Sequence, residues 1–172
     1  MYAALGRRLF DAADQEGALD VIEDLKRKLR ERVPSLEEVQ ALFPQIIYTE
    51  NVTKRRDLVR YTLAGFSKVA KGRVPLDYDA MTIEHLVPQS AIGSDGYTDE
   101  IVGQIGNLIL VSPELNVKLG DKPFRHKKRI LEQTPGYEGL ADIYAAAEWT
   151  PQDIEKRTLA LAKEAYGATW RI

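Results

Sequence analysis

The sequence predicts a mainly α-helical fold carrying one small β-hairpin. Three observations lead there. Apolar residues recur at helical spacing through much of the chain. Only residues 81–87 and 107–111 read as short apolar runs of strand length. Helix start and stop residues bracket much of the remainder.

Residues 2–15 and 17–32 read as two helices, the second with Leu19, Ile22, Leu25 and Leu29 at helical spacing. Pro34 ends that segment. Ser35 is an N-cap for a helix over 36–43, with Glu38 as its capping-box partner. A longer helix follows at 53–70, with Leu58, Tyr61, Leu63, Phe66 and Val69 as its apolar side and Lys71-Gly72 as its stop. The run at 81–87 is a strand that Pro88 prevents from continuing. Residues 93–103 are polar and read as loop, and 107–111 as the second strand. Ser112 then caps a helix, with Pro113 at its first position and Glu114 near its positive end. Gly120 stops it, and Pro123 opens a basic helix to about residue 133. Thr150-Pro151-Gln152-Asp153 starts a last helix, expected to reach about residue 168.

A chain of 172 residues holds one domain, or one with a short extension. We divide it into a helical N-terminal extension, 1–33, and a main domain, 34–172. The absence of cysteine excludes disulfides and thiolate zinc sites. No apolar run approaches the ~18 residues of a membrane span, and the N-terminus lacks a signal-peptide pattern, so a soluble cytoplasmic protein is expected. The net charge of −2 is unusual for a nucleic-acid binder, yet the charge is uneven. Lys118, Lys122, Arg125, Lys127, Lys128 and Arg129 stand against one acid, Asp121, and further basic clusters lie at 26–32 and 54–60. Such patches bind phosphate locally, or are solvated helix faces.

The chemistry concentrates in Ile83-Glu84-His85-Leu86-Val87-Pro88-Gln89-Ser90, followed by Gly106-Asn107-Leu108-Ile109-Leu110 and Leu115-Asn116. Phosphodiester hydrolysis needs a base for water, a cation against the phosphate, and stabilisation of the leaving 3′-oxygen. His85 suits the base, since a neutral imidazole accepts protons near neutral pH. Glu84 and Asn116 offer hard oxygen ligands that match Mg²⁺ or Mn²⁺. Asn116 is expected in the first turn of its helix, beside free backbone N–H groups. Neighbours on a regular strand face opposite sides, so Glu84 and His85 share a site only if the strand ends or kinks there. His126 reads as a surface residue. Trp149, Trp170 and the other aromatics read as core.

Glu84-His85-Leu86-Val87-Pro88-Gln89-Ser90 resembles the Asp-His-Ile-Val-Pro-Gln-Ser segment of the HNH (ββα-metal) domain in Cas9-type nucleases. The fuller order is Ile-Glu-His-X-X-Pro-Gln, Ile-Gly-Asn-Leu-X-Leu, Leu-Asn-X-Lys-Leu-Gly, then Lys-Pro-Phe and a basic helix. That order is similar to the C-terminal nuclease domain of GmrSD-type restriction endonucleases, over roughly 34–172 and including the tail from Trp149 through Arg157 to Trp170. The resemblance implies an HNH core embedded in a helical domain and a DNA endonuclease of an anti-phage restriction system. It makes His85 the general base and Glu84 and Asn116 the holders of Mg²⁺ or Mn²⁺, Glu84 directly or through water. It makes Asn107 the structural asparagine that positions His85. The basic run from Lys118 to Arg129 directly follows the helix of Asn116, so it is expected at DNA phosphates, with Lys122, Arg125 and Arg129 as the facing row. The resemblance also implies an N-terminal ParB-like nucleotide-hydrolysing domain in the same full-length protein, sensing modified DNA, with 1–33 as the end of an interdomain region. A double-strand break would call for a homo-oligomer or sequential nicks. The alternatives are an inactive DNA-binding module and a helical interaction or regulatory domain.

Overall fold

Helices account for most of the chain, and one antiparallel strand pair is the only sheet in the computed structural model, which describes residues 2–12, 14–69 and 80–169. The chain forms two compact units, Met1–Ser35 and Leu36–Arg171. The first holds α1 (Tyr2–Phe10) and α2 (Gln15–Arg30), with the Asp14 carboxylate accepting from the Gly17 N–H at the start of α2. A two-helix unit has little apolar surface to offer. Val21 is buried, while Leu19 and Ile22, expected inside, are exposed. The basic cluster at 26–32 is largely a face of ion pairs. Asp24 receives Arg8, Arg27 and Lys28, and Lys26 and Arg27 also meet Glu23 and Glu31.

The second unit runs α3 (Leu36–Leu42), α4 (Arg56–Val69), β1 (Thr82–His85), α5 (Asp99–Gly103), β2 (Leu108–Val111), α6 (Pro113–Leu119), α7 (Phe124–Glu132), α8 (Ala141–Ala145) and α9 (Pro151–Glu164). The hairpin register pairs Thr82 with Val111, Ile83 with Leu110, Glu84 with Ile109 and His85 with Leu108. β2 is buried throughout, as a strand covered on both faces should be. α4 packs on β2. The two strands thus carry the centre of a core that extends through Val59, Leu63, Leu115, Leu131, Ile143 and Ile154.

The expected caps at two helix starts are present. The Ser112 hydroxyl accepts from Leu115 N–H, with Pro113 opening α6, and Thr150 with Asp153 forms a full capping box at α9. Gly120 ends α6 with a positive φ of 49°, where a side chain would be strained. Elsewhere the structure corrects the reading. The stretch 93–103 is not all loop: Thr98 caps α5, which buries Val102 and Gly103. Five residues are too few to show a helical period. The short α8 went unread for the same reason. On α4 the buried stripe is Val59, Thr62 and Leu63, whereas Leu58 and Tyr61 are exposed. α9 ends at Glu164 and continues as a wider π-turn, Ala165–Thr169. The Lys71-Gly72 stop and Trp170 lie outside the described residues. No helix among the described residues is long and apolar enough to cross a membrane.

Candidate active site

Glu84 and His85 are the last two residues of β1, and both are buried. The strand ends at His85, as Pro88 foreshadowed, and Leu86 N–H turns to the Asn107 carbonyl at 2.8 Å. Both side chains line one cavity of about 580 Å³, together with Asn116, Lys127, Glu50 and Asp121. The geometric objection to neighbouring strand residues sharing a site is therefore met where the strand stops.

His85 is held by its ring. Its Nε2 lies 2.9 Å from the Tyr48 carbonyl, and the Tyr48 ring stacks on it at a centroid distance of 6.0 Å. A carbonyl accepts only, so Nε2 carries the proton and Nδ1 keeps its lone pair. Burial pushes the imidazole down to about 4, with the Lys127 charge adding to that against the Tyr48 bond. The ring is neutral at ordinary pH, as a proton acceptor must be.

Asn107 is fully buried and closes a ring of bonds with the chain after His85. Its Oδ1 accepts from Val87 N–H at 2.8 Å, and its Nδ2 donates to the Val87 and Val102 carbonyls at 3.0 and 2.8 Å. Asn107→Ala strands those three backbone groups without partners. We expect a loss on the order of 3 kcal/mol, since each buried group left unpaired costs about 1–3 kcal/mol. Thermal denaturation checks it, and an unchanged melting temperature would contradict this bracing role.

Asn116 donates from Nδ2 to Thr82 Oγ1 at 2.9 Å and to the Ile83 carbonyl at 3.3 Å. The amide is thereby fixed against β1, and Oδ1 is the atom left to face a ligand. Asn116 is the fourth residue of α6, and its backbone N–H is bonded to the Ser112 carbonyl, so it offers no free N–H to a phosphate.

The basic run divides. Lys127 is not at a DNA-facing surface: it is 1% exposed, and its ammonium bonds Glu84 Oε1 at 2.6 Å and the His85 carbonyl at 2.7 Å. Lys128 is half-buried and donates to the Ala146 carbonyl. Lys118, Lys122, Arg125 and Arg129 remain exposed, Arg125 against Glu148 and Lys122 against the Lys118 carbonyl. Lys122 precedes α7, so of an expected row of Lys122, Arg125 and Arg129 only the last two share that helix. His126 is exposed, as expected.

Several residues of the site were not anticipated. Tyr48 supplies the carbonyl that orients His85. Glu50 and Asp121 add carboxylates to the cavity. Gln89 accepts from Glu50 N–H at 2.7 Å, and Ser90 donates to Asp121 at 2.7 Å. The Gln-Ser end of the motif is thus a pair of ties that bring two loops to the cavity. Burial raises the Glu84 carboxyl, while the Lys127 ammonium acts to keep it ionised.

Three carboxylates and three amides line this cavity with one ammonium and a neutral ring, a balance that favours a cation. Among the described residues no three His, Cys, Asp or Glu side chains converge closely enough to hold a metal by themselves. The donor chemistry fits a hard ion such as Mg²⁺, which keeps much of its water and takes one or two protein oxygens. It does not fit structural zinc.

No curated protein matches this sequence. A family model does: that of the GmrSD restriction endonucleases, C-terminal domain, over residues 36–164. That span covers the hairpin, α6, α7 and α9 and every residue of the cavity. The chain belongs to the family of GmrSD restriction endonuclease C-terminal domains.

Proposed function

We propose that this domain is an HNH-type, metal-dependent DNA endonuclease in which His85 is the general base. The observation that carries the reading is the orientation of His85. Its Nε2 is tied to the Tyr48 carbonyl, which leaves Nδ1 as the ring's acceptor, and His85 lines the same cavity as Glu84 and Asn116. Membership of a restriction-endonuclease family supports DNA as the substrate.

In this scheme a water at Nδ1 loses its proton to His85 as its oxygen attacks the phosphorus. The P–O3′ bond breaks, leaving a 5′-phosphate, and the leaving oxygen takes a proton from solvent water to become a 3′-hydroxyl, while His85 returns its proton to solvent. Mg²⁺ or Mn²⁺, held by Glu84 and by Asn116 Oδ1, would offset the charge that builds on the phosphate. Asn107 and Tyr48 act through His85, fixing where the ring sits. The exposed Lys118, Lys122, Arg125 and Arg129 take phosphates along the duplex, which positions DNA without reading its sequence. Recognition of modified DNA then belongs to a ParB-like, nucleotide-hydrolysing domain of the full-length protein, and this domain is the effector that cuts.

The test is supercoiled plasmid incubated with the domain in Mg²⁺ or Mn²⁺, with and without EDTA. Conversion to open circles that EDTA abolishes is expected, with no zinc in the purified protein. Full activity in EDTA, or stoichiometric zinc, refutes the metal assignment. DNA binding without any cleavage under every metal would favour an inactive binding module.

A further inference from the structure

Lys127 is a buried charge to which the hydrolysis scheme gives no task. It sits on the inward stripe of α7 between Phe124 and Leu131, three residues after one and four before the other. Its ammonium meets the two motif residues at once, the Glu84 side chain at 2.6 Å and the His85 main chain at 2.7 Å. Two of its three N–H groups are thereby engaged. An exposed phosphate anchor has neither this burial nor these partners.

We propose that Lys127 is a positioning residue of the nuclease centre, tying the Glu84 carboxylate to the His85 carbonyl so that two neighbouring strand residues serve one cavity. The proposal rests on the nuclease reading above. Successive strand side chains diverge by geometry. A cation bridging the side chain of one to the backbone of the next fixes their relation at the strand's end. It also fixes which Glu84 oxygen stays available, because Oε1 is the one bonded to Lys127. Fold stability alone gives no reason for an ion pair here, since an apolar side chain of similar volume avoids the desolvation cost. What the pair adds is direction.

The experiment compares wild type, Lys127→Met, Glu84→Gln and the double variant. Four quantities are read: Mn²⁺ binding from the electron-resonance signal of free Mn²⁺, plasmid nicking, melting temperature, and DNA affinity over a salt series. Removing a residue that orients a metal ligand typically costs ~10–100-fold in affinity or activity. We expect Lys127→Met to lose that much in both Mn²⁺ binding and nicking. DNA affinity and its salt slope should stay at the wild-type values. The double variant leaves no unpaired carboxylate, so it should regain melting temperature over Lys127→Met. Its Mn²⁺ binding and nicking should be no worse than those of Glu84→Gln, so the two losses do not multiply. Wild-type Mn²⁺ binding and nicking in Lys127→Met overturns the proposal. So does weaker DNA binding with a salt slope lower by about one unit and unchanged Mn²⁺ affinity, the signature of a phosphate anchor. Losses that multiply in the double variant also overturn it, because Lys127 would then act apart from Glu84. A wild type that neither binds Mn²⁺ nor nicks refutes the nuclease reading itself, before any variant is compared.

Discussion

His85→Ala should slow plasmid nicking by ~10²–10⁴, the usual cost of removing a general base. Two observations set that expectation. His85 is the only histidine lining the cavity, and its burial keeps the ring neutral and so able to accept a proton. Little else should change. Tyr48, whose carbonyl loses its donor, is a half-buried residue, and the space left by the imidazole opens toward the cavity that His85 lines, so water can take its place. Melting temperature should fall slightly and DNA affinity should hold. Nicking assays beside anisotropy titrations check this. A fully active variant would remove His85 from the chemistry, and a variant that fails to bind DNA would make its role structural.

Gly106→Ala should be severely destabilising. A Cβ at Gly106 would lie 2.1 Å from the Ile154 carbonyl oxygen, 2.5 Å from Thr158 Oγ1 and 2.8 Å from Thr158 N. Two of those three atoms are backbone of α9, which cannot swing aside as a flexible side chain would. The turn holding Gly106 is also tied to that helix, by Gly106 N–H to Thr158 Oγ1 at 3.1 Å and by Arg157 to the Gly106 carbonyl at 2.8 Å. The cost should reach or exceed the upper end of the about 1–3 kcal/mol usual for overpacking. For a domain of this size that is a fall of roughly 10 °C in melting temperature. Asn107 is the next residue, so nicking should be lost even at temperatures where the variant remains folded. Calorimetry and nicking on the same preparation test both parts. Wild-type stability would mean that α9 packs farther from the turn than the structure places it.

The sequence disclosed the hairpin, its partner asparagines and the caps of α6 and α9, because each depends on local rules: strand length, an N-cap oxygen, a proline at the first helical position. It concealed whatever depends on which way a side chain turns. Six basic residues between 118 and 129 look alike in a string, yet one is buried under the site and another is anchored on a backbone carbonyl. A signal existed for the first. Phe124, Lys127 and Leu131 share the i, i+3, i+7 stripe of a buried helix face, and a lysine on such a stripe must find a carboxylate. For Tyr48 and Glu50 no such signal existed. Glu50 reaches the cavity, and Tyr48 reaches His85, on a loop tied to Gln89, a contact between residues 39 apart. On α4 the exposed Leu58 and Tyr61 showed that two apolar residues at helical spacing do not by themselves identify the inward face.

The ties around His85 reach far along the chain. Tyr48 is 37 residues before it, Lys127 is 42 after it, and Thr158 is 52 after the glycine it braces. Contacts of such separation form only after long loops close, and they make folding slow relative to helices alone. During synthesis the Glu84-His85 pair therefore emerges after Tyr48 but well before Lys127 and Thr158. A nascent chain that has not yet exposed α9 carries the nuclease motif but lacks the support for the turn before β2. The full set of contacts around the site can thus be complete only once nearly the whole domain has been made.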